Sequence, residues 1–187
     1  MRKSVLVVGI LFLVLSMVAC ASVKKEVGIN KTASEIDRNV IETMNIFNSQ
    51  VSGGREIISK AKAILIMPNV TKAGFVAGGQ YGEGALRVGN KTVGYYNLIA
   101  GSYGFTFGAE RMDIVIAFMT DAALSDFQKL KGWEVGIDGN VALIDVGGGK
   151  RVDTTTLRDP IVGFVFDAKG LMVDVSLKGA KFTKIQK

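Results

Sequence analysis

The chain reads as an α+β domain in which two N-terminal helices pack on a curved, glycine-rich, mainly antiparallel β-sheet, with one further short helix. Three observations predict this. From Thr32 to Val51, apolar residues recur at Ile36, Val40, Met44, Phe47 and Val51, the three- and four-residue spacing of one helical stripe. Glycine then crowds the region between Gly74 and Gly108, a density that implies bends, bulges or closely approaching backbones in a curved sheet. Beyond it, short apolar runs rich in branched residues alternate with turn signals, the pattern of strands.

Taken in order, Thr32 or Ser34 is placed to cap the first helix. Its polar face carries Glu35, Asp37 and Glu42 against Arg38. It therefore lacks the cationic enrichment of a surface-seeking helix, and its stripe is expected to pack on the domain's own sheet. A second helix is predicted from Gly54 to Ala63, with Ser52 as cap and Ile57, Ile58 and Ala61 facing inward. Pro68 is expected to end the run Ile64-Leu65-Ile66-Met67.

Met112 to Met119 is apolar almost throughout, as for a strand covered on both faces. Thr120 or Asp121 should cap a short helix ending at Leu130. Trp133, Val135 and Ile137 then alternate up to Asp138-Gly139, a two-residue hairpin signal, and that register sets Trp133 opposite Ile144 and Val135 opposite Ala142. A last hairpin is predicted from Ile161–Phe166, the turn Asp167-Ala168-Lys169-Gly170, and Leu171–Leu177.

The N-terminal end has the physics of a secretory leader. Arg2 and Lys3 precede an apolar run, Val5 to Val18, too short for a comfortable membrane span, and Ala19 closes it. Met17-Val18-Ala19-Cys20 resembles a bacterial lipobox, whose cysteine is acylated and becomes the mature N-terminus. The alternative is a cysteine that merely neighbours an ordinary cleavage site. Cys20 is the single cysteine of the chain, so it has no internal disulfide partner. Residues 1–19 are thus expected to be a lipoprotein signal peptide, 20–31 a tether with little order, and 32–187 the domain. An acyl (palmitate-type) anchor would dominate location, since each buried methylene contributes about 0.8 kcal/mol. Ala21 in place of Asp resembles the absence of an inner-membrane retention signal, which implies the periplasmic face of an outer membrane.

The formal net charge is +6 over 187 residues, mild enough neither to require nor to exclude nucleic acid, and export makes nucleic acid an improbable partner. There is no histidine. With Cys20 consumed by acylation, Cys/His nucleophiles, Ser-His-Asp triads and the usual zinc sites have no residues to form them, so no cofactor, no metal and no enzyme activity are expected. Paired carboxylates remain available in principle, for instance Glu83 with Glu110 or Asp113, but no spacing selects a pair.

Gly78–Gly84, GGQYGEG, lacks the order of a dinucleotide loop and runs into the strand-like Ala85-Leu86-Arg87-Val88. Gly147-Gly148-Gly149-Lys150 is followed by Arg151 and reads as a loop. Asn30-Lys31-Thr32 and Asn90-Lys91-Thr92 fit a glycosylation pattern that a bacterial lipoprotein would not use. Lys178, Lys181, Lys184 and Lys187 recur near the end of the chain, interleaved with Phe182 and Ile185; spacing of three divides them between the two faces of a straight strand.

These residues resemble a known family. Ala61–Val70 (AKAILIMPNV), Lys72–Phe75 (KAGF) and GGQYGEG are similar to the SYLF lipid-binding family, which includes bacterial exported lipoproteins and eukaryotic phosphoinositide-binding, actin-associated proteins. KGWEVGIDGNVALIDVG, TTTLRDPIVGFVFDAKGLM and SLKGAKFTKI resemble the bacterial branch. The chain departs from many members at Tyr95-Tyr96-Asn97-Leu98-Ile99, where they carry a tryptophan-serine pair before a proline, and at Gly108-Ala109-Glu110-Arg111, where others carry Gly-x-Gln. The resemblance implies phospholipid binding, with Lys62, Lys72 and Arg87 in or beside the matched motifs as candidate phosphate partners, joined by Lys178, Lys181 and Lys184. Actin binding does not carry over to an exported protein. The expected function is that of a non-enzymatic outer-membrane lipoprotein binding anionic phospholipid; the alternative is a structural module contacting envelope proteins or glycan.

Overall fold

The computed structural model describes residues 29–74, 77–103, 108–146, 158–170 and 176–187. Cys20, the leader, Gly147–Lys150 and the expected return strand of the last hairpin through Val175 lie outside the described residues. The architecture is α+β. Helices α1 (Ala33–Gln50) and α2 (Gly54–Lys60) precede strands β1 (Ala63–Gly74), β2 (Ala77–Val88), β3 (Lys91–Tyr103) and β4 (Gly108–Phe118); α3 (Asp121–Lys129), β5 (Gly132–Glu134), β6 (Ala142–Asp145), β7 (Ile161–Gly170) and β8 (Lys181–Ile185) follow.

The eight strands of the described residues form one curled sheet in the order β5-β8-β3-β2-β1-β4-β7-β6. Every pairing is antiparallel except β6 with β7. The two edge strands, β5 and β6, are joined directly by residues 135–141, so the curl returns on itself and leaves a seam between them.

The period-two alternation of the strands divides the core in two. Inside the curl lie Leu65, Met67, Val70, Leu86, Tyr96, Leu98, Ile114, Ile116 and Val165, with Phe127 of α3 among them. On the outer face, Ile64, Ile66, Ala85, Val115, Ala117, Phe164 and Phe166 receive Ile36, Val40, Phe47 and Val51 of α1 and its C-terminal flank. The stripe predicted for α1 is therefore the face it buries, with Thr43 in place of the half-buried Met44 at one position. Phe47 meets Phe164 and Phe166 edge-on at 5.1 and 5.4 Å, a favoured geometry for aromatic quadrupoles.

Thr32 caps α1 in a full capping box: its hydroxyl accepts from the Glu35 N–H, and the Glu35 carboxylate accepts from the Thr32 N–H at 2.7 Å. Thr120 caps α3, accepting from the Ala123 N–H. Ser52 does not cap α2. Gly53 does so by backbone alone, in a left-handed conformation at φ +78°, and α2 stops at Lys60 because β1 has already begun by Ala63.

Three further expectations are corrected. Pro68 does not end its run: β1 continues to Gly74 through a bulge between Met67 and Val70. There the missing Pro N–H is harmless, Asn69 adopts φ +54°, and its N–H donates to Asp113 Oδ1 on β4 at 2.7 Å. The predicted Trp133–Ile144 hairpin does not form, since β5 pairs with β8 and β6 runs parallel to β7. Asp138-Gly139 makes a turn only: the Glu134 N–H donates to Asp138 Oδ2, and the Gly136 N–H to the Gly139 carbonyl. Asp167–Gly170 is not a turn either, because β7 runs straight through it against β4, accommodating Asp167 at φ +51° beside a register shift.

The glycine density has a local cause. A Cβ at Gly84 would collide with the Ile66 carbonyl oxygen, and one at Gly82 would lie 2.7 Å from Val70 Cγ2. Glycine is what lets β2 close on bulged β1.

Candidate functional site

On the outer face, beyond the N-terminal end of α1, a buried carboxylate ties together both ends of the described chain. Glu83 of β2 is 2% exposed. Its Oε1 accepts from the Asn30 N–H at 2.9 Å and the Tyr81 hydroxyl at 2.7 Å; its Oε2 accepts from the Lys31 N–H and Lys187 Nζ, both at 3.0 Å. Burial pushes this carboxyl upward, but the bonds from Tyr81, Lys187 and Asn30 outweigh it and hold Glu83 below the ordinary carboxylate value. Burial and the Glu83 bond raise the Tyr81 phenol in turn, and burial lowers the Lys31 ammonium despite Glu83. Asn30 and Lys31, assigned from sequence to a tether of little order, are thus fixed on the sheet.

Two other carboxylates hold α1 down. Asp37 accepts from the Thr92 and Tyr95 hydroxyls of β3 at 3.0 and 2.9 Å. Asp113 accepts from the Thr43 hydroxyl of α1 at 3.0 Å as well as from Asn69. Glu83 and Asp113 are engaged in these separate networks, while Glu110 sits on the inner side of β4, directly opposite Lys72 of β1. Among the described residues no group of His, Cys, Asp or Glu is placed to hold a metal ion.

The basic residues singled out from sequence are dispersed. Lys62, just before β1, lies 3.4 Å from Asp121 at the start of α3. Lys72 is buried at 4% exposure near the other end of β1, opposite Glu110 and Gln80, and not on the surface with the other basic candidates. Arg87 closes the β2–β3 turn, donating from Nη2 to the Asn90 carbonyl at 2.6 Å. Lys178, Lys181 and Lys184 are exposed, at or just before β8. As the spacing of three requires, Lys181 points outward beside Ile99 of β3, and Lys184 lies on the opposite side beside Tyr96.

Two concavities flank this end of the sheet. A shallow groove of about 490 Å³ lies between Thr92–Tyr95 and Lys184–Lys187. A cleft of about 580 Å³ opens at the seam between β5 and β6, floored by Trp133 and Ile161 and rimmed by Asp126, Asp138 and Asp159. Its carboxylates repel an anionic head group, whereas the groove is bordered by Lys184 and by Lys187, whose ammonium is already bonded to Glu83. GGQYGEG is plain β2 strand, so no phosphate loop is present there.

Residues 99–187 match the family model described as Las17-binding protein actin regulator. This stretch belongs to the SYLF family. It runs from Ile99 in β3 through β8 to Lys187, and so includes the seam, the cleft and the β8 lysines. Helices α1 and α2 and strands β1 and β2, with the AKAILIMPNV and GGQYGEG motifs, lie ahead of the matched SYLF stretch, and α3 lies within it. No curated protein matches the chain.

Sequence reasoning missed Glu83 as a fastening point and Ile99 as an exposed apolar residue. Both carried a signal. Tyr81 and Glu83 are two apart on a strand and share a face; in Tyr96-Asn97-Leu98-Ile99-Ala100 the even positions fill the core, which forces Ile99 outward.

Proposed function

We propose that the chain is a non-enzymatic lipoprotein, held by an acylated Cys20 at the periplasmic face of an outer membrane, whose SYLF domain binds anionic phospholipid in envelope maintenance or lipid handling. The observation that carries this reading is the solvent-facing cationic character of the outer side of β8 within the family-matched stretch: Lys181, with Lys178 just before the strand. Each basic group close to an anionic surface contributes about 1 kcal/mol, so the domain's own contact is weak and salt-sensitive. The acyl chains would supply permanence. The actin-regulating role by which the family model is described finds no counterpart in this reading, because an exported protein does not meet actin.

Flotation tests it. The chain from residue 20 with Cys20→Ala should float with phosphatidylglycerol vesicles at low salt, lose binding as salt rises, and ignore phosphatidylcholine vesicles. Failure to float at low salt defeats the reading of the domain. Mass spectrometry of protein from its own membrane tests the anchor separately, and an unmodified Cys20 thiol would overturn it.

A second reading, an interaction module for envelope proteins or glycan, draws on the acid-rimmed seam cleft. Capture of a partner from envelope extract that is lost on Asp138→Asn and Asp159→Asn would favour it.

A further inference from the structure

Among the described residues only half of the sheet's outer face is covered. Helix α1 lies across β1, β2 and β7, and its inward residues pack on Ile64, Ile66, Ala85, Val115 and Phe164. Past the Glu83 fastening no helix of the described residues lies on the far half of the face. Ile99, in mid-strand of β3, is 53% exposed there. Two residues along, a Cβ built on Gly101 would meet nothing within 4 Å. The cross-strand neighbour of Ile99 on β8 is Lys181, also exposed, whose own partner on β5 is Glu134.

The chain enters the fold on this same face. Asn30 and Lys31 are bonded through their N–H groups to Glu83, and Lys187 reaches the same carboxylate. Glu83 lies opposite Asn97 on β3, two positions from Ile99. Even fully extended, the stretch from Cys20 to Ile29 reaches no more than about 36 Å. An anchor on Cys20 therefore brings the Ile99 side of the molecule, and not the β5–β6 turn, to the bilayer first. The sequence of that stretch also carries Lys24 and Lys25.

Resting on the proposed lipid-binding reading, we infer that the uncovered outer face of β2, β3 and β8, centred on Ile99 and Lys181, is the surface that lies on the anionic bilayer. Ile99 enters the head-group region, Lys181 pairs with lipid phosphate, and the flat glycine surface at Gly101 permits close approach. Lys184, on the opposite side of β8, takes little part.

The test uses the residue 20–187 chain carrying Cys20→Ala, which retains every described residue and leaves no other thiol. A fluorescent label is attached at Ile99→Cys or, as reference, at Ile137→Cys, the 75% exposed residue in the turn between the edge strands. On phosphatidylglycerol vesicles the label at 99 should become shielded from aqueous acrylamide while that at 137 stays open. Lys181→Glu should weaken flotation about fivefold or more, with Lys184→Glu close to the parent and melting temperatures of both unchanged. Flotation with the labels at 99 and 137 equally open, or with Lys184→Glu the more damaging change, overturns the assigned face and leaves lipid binding standing. Absence of flotation in the parent overturns both.

Discussion

Lys187 Nζ and Glu83 Oε2 meet at 3.0 Å across more than half the sequence, with side chains only 12% and 2% exposed. The carboxylate also receives Asn30, Lys31 and Tyr81, so it has one donor for each of its main lone-pair directions. Glu83→Gln keeps the shape but turns an acceptor into a donor facing Lys31 and Lys187. The expected cost is about 3 kcal/mol, the order found when one member of a buried pair is removed. Lys187→Met leaves three donors in place and should cost about 1 kcal/mol. Since Glu83 is held below its ordinary value of 4.5, its contribution is fully present above that value and is lost as pH falls through the lower folded-state value. Urea titrations across the acid range should show a weaker acid-limb dependence in Glu83→Gln.

Asp113 behaves in the opposite sense. Burial raises its carboxyl above the ordinary 3.8, against the lowering effect of the Asn69 and Thr43 bonds. The unfolded chain then releases its proton at lower pH than the folded one, so this group's contribution is fully present below 3.8 and is lost as pH rises through the raised folded-state value. Asparagine can accept from the Asn69 N–H and donate to Thr43 Oγ1, satisfying both partners without a charge. Asp113→Asn is expected to match the parent at low pH and to exceed it by about 1 kcal/mol at neutral pH. Urea midpoints measured from acid to mildly alkaline pH check this, and a gap that narrows as pH rises would contradict it.

What the sequence disclosed was local. The stripe of α1, the Thr32 and Thr120 caps, the doubly covered strand at Met112–Phe118 and the opposite facing of Lys181 and Lys184 all follow from periodicity or capping chemistry within a few residues. What it hid was partner choice. Asp138-Gly139 does make a tight turn, but the strands on either side pair with β8 and β7, at opposite edges of the curl. A turn signal cannot reveal which distant strands compete for an edge. Asp167-Ala168-Lys169-Gly170 failed likewise, because a bulge next to β4 accommodates the positive φ that the residues seemed to reserve for a turn. The candidate basic site was legible only as residue types, and Lys72 became buried through cross-strand neighbours that no short window contains.

Gly84 tests whether glycine density reflects close backbone approach. A methyl there meets the Ile66 carbonyl in the neighbouring strand and lies 2.7 Å from Met67 Sδ, and the carbonyl cannot rotate away without breaking the β1–β2 ladder. Gly84→Ala should cost about 3 kcal/mol or more, seen as a large loss of melting temperature or of soluble yield. Gly101→Ala, into open space, should fall within about 0.5 kcal/mol of the parent. Equal tolerance at the two positions would remove close packing as the reason for glycine in β2.

The last expectation concerns how α3 closes the curl. Phe127 is the side chain this helix buries most fully. Its ring lies 4.9 Å from Tyr96, 4.8 Å from Phe118, 5.6 Å from Trp133 and 6.4 Å from Phe182, centroid to centroid. It thus joins β3, β4, β5 and β8 from inside, at the level of the seam. Phe127→Ala removes four ring contacts and leaves a void that the curled sheet cannot collapse to fill, at an expected cost of about 4 kcal/mol. Phe127→Leu, which keeps much of the volume, should lose roughly half as much. Because Trp133 is the single tryptophan, its emission reports the change directly: a red shift in native Phe127→Ala, smaller in Phe127→Leu, marks water entering at the seam. If the native emission stays unshifted and the urea midpoint unchanged, α3 is an appendage and the sheet holds its curl without it.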